Sequence, residues 1–261
     1  MKLLTALFSS SIGRKILMAV TGVILTGFII GHLVGNLQIF SDPDKINGYA
    51  HVLRELGPAL WTARIILLIS VVIHIWAATV LTIENRRARG SEPYGVKTWI
   101  AASLSSRFVR WTGYIVLVFI LYHLAQFTFG AVEKKHFKDN LPPYILTSDY
   151  HVLGLSAVKA GTKVPDVHSM MIFGFQNVPI SIFYIVAVGL LSFHLQHGLD
   201  SLFQTLGLRN GSWSTGLRKL VTIFCVAYFI GNLLIPVSIL AGYIKLRPEA
   251  AQLASQAVAQ R

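Results

Sequence analysis

Five apolar runs, each long enough to cross a bilayer, constrain this chain more than any other feature. They cover approximately residues 16–37, 63–82, 111–131, 178–203 and 217–244. A helix needs about 20 predominantly apolar residues to span the hydrocarbon layer. Within lipid only a backbone that bonds to itself survives, so the runs are read as helices. The fold class predicted is all-α: an integral membrane bundle of five transmembrane helices, with residues 1–261 as a single membrane domain. Only 13% of the 261 residues are charged, whereas a soluble domain is nearer a quarter charged. At the fourth run, Asn177 is placed to cap the helix and Pro179 falls where a missing N–H costs little.

The formal net charge of +12 does not point to nucleic acid, because the cations sit in clusters between the apolar runs. Lys2, Arg14 and Lys15 precede the first run. Arg86, Arg87, Arg89, Lys97, Arg107 and Arg110 lie between the second and third, and Arg209, Arg218 and Lys219 between the fourth and fifth. The connection between the first two runs carries Lys45 and Arg54 against Asp42, Asp44 and Glu55. The positive-inside rule then puts the N-terminus in the cytoplasm, and five spans put the C-terminus outside. Residues 132–177 form a long exterior loop that runs against the rule, with Lys134, Lys135, Lys138, Lys159 and Lys163. Its end, Val167 to Phe175, is expected along the membrane surface. The tail from Pro248 is expected to be a short exterior helix or disordered. Met1 to Lys15 lacks the cleavage site of a signal peptide, so the first run is read as a retained helix. The single cysteine, Cys225, excludes a disulfide within the chain and a cluster held by its thiolates alone, and is read as a packing residue.

Nine histidines are present. His51, His136, His151 and His168 fall between the runs and are expected to be solvated. His32, His74, His123, His194 and His197 fall within them. An ionisable side chain inside a membrane is costly and is a functional candidate by default. Four different helices each supply at least one, which favours one shared purpose over four separate structural roles. A transition-metal site and haem iron held between two imidazoles both fit. The spans hold almost no carboxylates, which argues against an ion or proton path. Gly27, Gly31 and Gly35 line one helix face beside His32, either for a flat macrocycle or for close helix packing.

These residues carry a resemblance that covers roughly Ser11 to Ile244. The stretch Ser11-Ile-Gly13-Arg-Lys15, then Thr21-Gly22 and His32, and the run from His194 through His197-Gly198 to Gly207, resemble the di-haem cytochrome b subunit that anchors bacterial succinate dehydrogenases and fumarate reductases. The resemblance implies one axial histidine on each of the first four helices: His32 with His123 for a distal haem, and His74 with His194 for a proximal haem. It selects His194 over His197 because the family's ligand precedes a glycine by four positions. It implies two b haems and a quinone, with menaquinone the better match to the di-haem form. The implied partners are a flavoprotein subunit and an iron–sulfur subunit on the cytoplasmic side of the bacterial cytoplasmic membrane. The chain would act in a succinate:quinone oxidoreductase only as the electron-transferring membrane subunit. Glu55 is the carboxylate implied at the quinone site. Ser192 stands where some fumarate reductases carry a glutamate, which puts a proton pathway of that kind in doubt. Arg14, Lys15, Arg107 and Arg110 are the cations placed to meet haem propionates. Two other readings stand beside this one: a cytochrome b anchor for another respiratory dehydrogenase or reductase, and a haem-free transporter or anchor.

Overall fold

The computed structural model describes residues 2–91 and 103–252, so Lys97 lies outside the described residues. Helices dominate: α1 (Lys2–Ser9), α2 (Ser11–Asn36), α3 (Pro43–Glu55), α4 (Pro58–Arg89), α5 (Leu104–His123), α6 (Val167–Gln176), α7 (Val178–Thr205) and α8 (Ser214–Leu240). Five of them, α2, α4, α5, α7 and α8, are long and apolar enough to cross a membrane. The protein is therefore a predominantly helical, multi-pass membrane bundle of the all-α class. Large apolar side chains point outward along these helices, among them Val23 and Phe28 on α2, Ile65 and Leu68 on α4, and Ile223 and Val226 on α8. In water that surface would be a large penalty; in lipid it is the solvated face.

Helix limits follow local chemistry more than hydropathy. Pro58 opens α4, where its missing N–H costs nothing, and Gly90 at φ 76° closes it. Helix α5 starts seven residues before the apolar run. The Ser103 hydroxyl accepts from the Ser106 N–H (3.2 Å), and the helix carries Arg107 and Arg110 within its first two turns. After His123 it passes into one π-turn, Leu124–Thr128. The Asn177 side chain accepts from the Ile180 N–H (3.4 Å) at the start of α7. Helix α8 contains Pro236 and stops at Leu240, short of the apolar run's end, with Gly242 at φ 75° just beyond.

The chain divides into two compact units. The first comprises Met1–Ile30, Thr62–Val116 and Leu190–Tyr228. The buried Arg14 anchors it, donating to the Phe8 carbonyl (2.8 Å) and pairing with Glu84 (2.5 Å).

The second unit comprises Gly31–Trp61, Leu117–Gly189 and Phe229–Arg261. It contains the long loop, which is built and not merely connecting. Strand β1 (Tyr144–Ile145) pairs antiparallel with β4 (Lys163–Val164), and β2 (Tyr150–Val152) with β3 (Leu155–Val158). The fully buried Asn47 of α3 accepts from the backbone N–H of Val167 (2.8 Å) and of His168 (3.0 Å). Asp166 caps α6 through the Ser169 N–H (3.0 Å) and pairs with Arg247. Helix α6 offers no exposed apolar face of its own over His168 to Phe175, which are all buried in the protein, with Asn47 and the Asp166 cap holding its first turn. His168 is accordingly not solvated, at 4% exposure. His136 is also partly covered, stacked on Phe173 at 4.2 Å. Residues 248–252 are helical, and Ala250 packs into the cluster of Phe137, Leu141, Met170 and Phe173.

Candidate functional site

Each unit contains one pair of facing histidines. In the second unit His32 of α2 meets His123 at the end of α5, with ring centres 5.5 Å apart and planes at 88°. In the first unit His74 of α4 meets His194 of α7, with ring centres 6.3 Å apart and planes at 64°. All four rings are partly covered and partly accessible.

The hydrogen bonds around these rings assign their protons. The Thr21 hydroxyl donates to the Leu17 carbonyl (2.8 Å), so its oxygen accepts from His74 Nδ1–H (3.1 Å). The Met18 carbonyl also takes a bond from His74. On the facing ring, His194 Nδ1–H donates to the Val109 carbonyl (3.2 Å), an atom with no proton of its own. Thr112, whose hydroxyl also donates to Val109 (3.0 Å), stands 3.4 Å from the same nitrogen. In the second unit the Tyr184 hydroxyl donates to Gln126 Oε1 (2.8 Å), so its oxygen accepts from His123 Nδ1–H (3.4 Å). A neutral imidazole carries one proton. With that proton on Nδ1, His74, His194 and His123 each keep an unprotonated Nε2, the form that ligates a metal.

Two glycines sit against the His74–His194 pair. A Cβ at Gly22 would stand 3.7 Å from His74 Cε1, and one at Gly113 would stand 3.2 Å from His194 Cε1. Gly27 and Gly31, by contrast, face open space, with nothing within 4 Å of an added Cβ. They are not in close helix contact. Gly35 is, tight against the Tyr49 ring.

Tyr184 stands in a cage of aromatic rings with Phe119, Phe127 and Phe175, all within the second unit. The π-turn that follows His123 carries Gln126, which is 4% exposed and whose Nε2 has no hydrogen-bond partner. Glu133, half-buried, acts electrostatically on Tyr122 and Tyr184, and burial raises its carboxyl above the usual range. Glu55 ends α3 and is exposed.

The other sequence candidates divide. His197 lines a polar cavity of about 750 Å³ with Asp200, Arg209 and Arg218, and does not join the facing pair. Ser192 is buried in α7. The charge of Arg14 is already opposed by Glu84, while Lys15 and Arg110 are exposed and Arg107 is partly covered. His51 is partly covered and His151 exposed. Cys225 is a buried packing residue of α8.

Sequence reasoning missed Thr112, Gly113, Gln126, Tyr184 and Glu133. One signal for the first two was available. Met18-x-x-Thr21-Gly22 and Val109-x-x-Thr112-Gly113 place a carbonyl, a hydroxyl and a bare backbone in the same order on α2 and α5. Each receives a histidine from another helix.

Two facing imidazoles can ligate one iron between them. Among the described residues, no three His, Cys, Asp or Glu side chains gather to hold a bare metal ion. Comparison of the chain with protein-family models, with curated proteins and with solved structures finds no match.

Proposed function

We propose that this chain is the di-haem cytochrome b anchor of a bacterial succinate dehydrogenase or fumarate reductase. In this reading it passes electrons between an iron–sulfur subunit on the cytoplasmic side and a membrane quinone. One observation carries the proposal: four spanning helices supply two separate pairs of facing histidines. An imidazole–metal bond of about 2 Å on either side of one iron puts the two ring centres roughly 6 Å apart. The 6.3 Å of His74–His194 meets that separation and the 5.5 Å of His32–His123 falls just inside it. Gly27 and Gly31 add open backbone on the helix face next to His32.

A haem held between two imidazoles supplies one-electron transfer. The chain's residues supply position and protonation state. His32 with His123, and His74 with His194, are the proposed ligands. Thr21, Thr112 and Tyr184 hold the Nδ1 protons of three of them. The chain carries no dicarboxylate chemistry in this reading; that belongs to the flavoprotein subunit. The basic connections at 86–89, 107–110 and 209–219 are the proposed landing surface for the soluble subunits. Menaquinone is the proposed quinone. Glu55, or the half-buried Glu133, is the proposed carboxylate for proton exchange with it.

A visible spectrum of the purified chain tests the proposal. Dithionite reduction should give sharp cytochrome b bands with two haems per chain. Replacing His74 or His194 with Ala should remove one haem and leave the other. Absence of b bands, or retention of both haems in both variants, overturns the reading.

A further inference from the structure

The two carbonyl–Thr–Gly segments make the same three-part seat on two different helices. The Thr21 hydroxyl oxygen takes the Nδ1 proton of His74, the Met18 carbonyl also bonds to that ring, and Gly22 lies beside the ring edge. Thr112 and the Val109 carbonyl take the Nδ1 proton of His194, and Gly113 lies beside that ring edge. In both seats the threonine hydroxyl gives its own proton to a backbone carbonyl of its helix, Leu17 or Val109, and so presents oxygen lone pairs to the histidine. The carbonyl stands three residues before the threonine and the glycine one after, in both cases. Beside Gly113 there is no room for a methyl group without moving the ring, so the third part of that seat is steric.

We propose that these segments are a duplicated ligand seat, in which Thr21 and Thr112 are positioning residues that turn Nε2 of His74 and His194 toward one shared iron and tune their electron donation. The inference rests on the haem reading above. An imidazole whose Nδ1–H is drawn toward an acceptor becomes a more basic ligand at Nε2. A more basic pair of ligands stabilises ferric over ferrous iron, which lowers the potential of that haem. Valine has nearly the shape of threonine without the hydroxyl. Thr21→Val and Thr112→Val therefore remove one acceptor from each seat and leave the carbonyl bond.

The experiment is a redox titration of the purified full-length chain, followed in the visible spectrum. The proximal couple is identified as the one that disappears in His74→Ala. In the double valine variant the reduced-to-oxidised ratio of that couple at fixed poise should rise roughly tenfold, about 59 mV for one electron. The other couple should not move, and Thr→Ser at both positions should restore the original value. Loss of the proximal haem in the valine variant, restored by serine, also supports the seat. Both haems retained with an unshifted proximal couple overturns the seat and leaves the haem reading intact, as does haem loss that serine fails to restore. A wild-type chain with no b bands removes both readings together, which distinguishes that failure from the former.

Discussion

His194 Nδ1 lies 3.2 Å from the carbonyl oxygen of Val109, a contact in which only the histidine can donate. The bond reaches from α7 to α5. It sets the tautomer of a membrane-embedded imidazole without any charged partner. Because a backbone carbonyl survives every side-chain substitution, the orientation of His194 is most sensitive to what crowds the ring.

Gly113→Ala tests that crowding. Its Cβ would stand 3.2 Å from His194 Cε1 and 3.6 Å from Nδ1. We expect partial loss of one haem, read as a reduced b-band amplitude, with the other haem unchanged. Gly31→Ala tests the opposite case. Nothing lies within 4 Å of its Cβ, so the bare protein should gain about 0.5–1 kcal/mol from improved helix propensity. If the open face receives a macrocycle, the same substitution should lower haem content. Unchanged haem content in Gly31→Ala would remove that face from the proposed site.

Tyr184→Phe removes both an acceptor for His123 Nδ1–H and a donor to Gln126. Two polar groups lose a partner inside the bundle, with a cost of about 1–3 kcal/mol for each group left unsatisfied. Thermal unfolding in detergent should show the loss of stability. The absorption band of the haem assigned to His32 and His123 should shift while the other stays in place.

Acid should weaken the second unit in two separable stages. Burial, the largest influence, keeps the His168 imidazole from charging, so its pKa lies below the ordinary value. A histidine held neutral in the folded state costs stability as pH falls through its unfolded value of about 6.5 toward the lower folded one. His168→Gln should flatten the response in that window. Asp44 acts lower down. Burial opposes its ionisation, but the Thr147 and Ser148 hydroxyls and N–H groups, at 2.6–2.9 Å, outweigh it and hold the carboxyl well below the usual range. Its contribution is present above the unfolded value of about 3.9 and is lost as pH falls through the folded one. Asp44→Asn should cost about 3 kcal/mol near neutral pH. Hydrogen exchange across residues 144–176 measures both effects.

Glu133 has the opposite sign. Burial raises its carboxyl, so stability is greatest where it is protonated and is lost as pH rises through the raised value. Glu133→Gln should remove that dependence. If Glu133 rather than Glu55 exchanges protons with quinone, the variant should also slow quinone reduction or quinol oxidation in the assembled complex, while Glu55→Gln leaves the rate unchanged.

The spans were legible because lipid allows few solutions for a backbone, and long apolar runs satisfy one of them. Their ends were not, since Ser103, Gly90 and Gly242 act through caps and φ angles that hydropathy ignores. The facing of His74 with His194 was not legible from residue counts along the helices. It depends on which way each ring turns, and the groups that bond the rings, Thr21 for His74 and Val109 with Thr112 for His194, lie on other helices. The build of the long loop was hidden for a different reason. Its strands are two to four residues long, too short for alternation to register. It is held by Asp44 and Asn47, which contact residues more than a hundred positions away and in sequence look like ordinary polar residues of a connection.

His74 and His194 are each supplied by one helix and held by hydrogen bonds from another, and the two seats are finished at different moments of synthesis. The seat of His74 uses α2 and α4, so it is complete once the second span has entered the membrane. The seat of His194 joins α5 to α7 and waits for the fourth. Until then the Nε2 of His74 has no facing ring, and a chain stalled between its second and fourth spans would display a single oriented imidazole. A group held between the two rings, as the haem proposal has it, would therefore be loaded only once insertion is nearly finished, by the order of the helices alone.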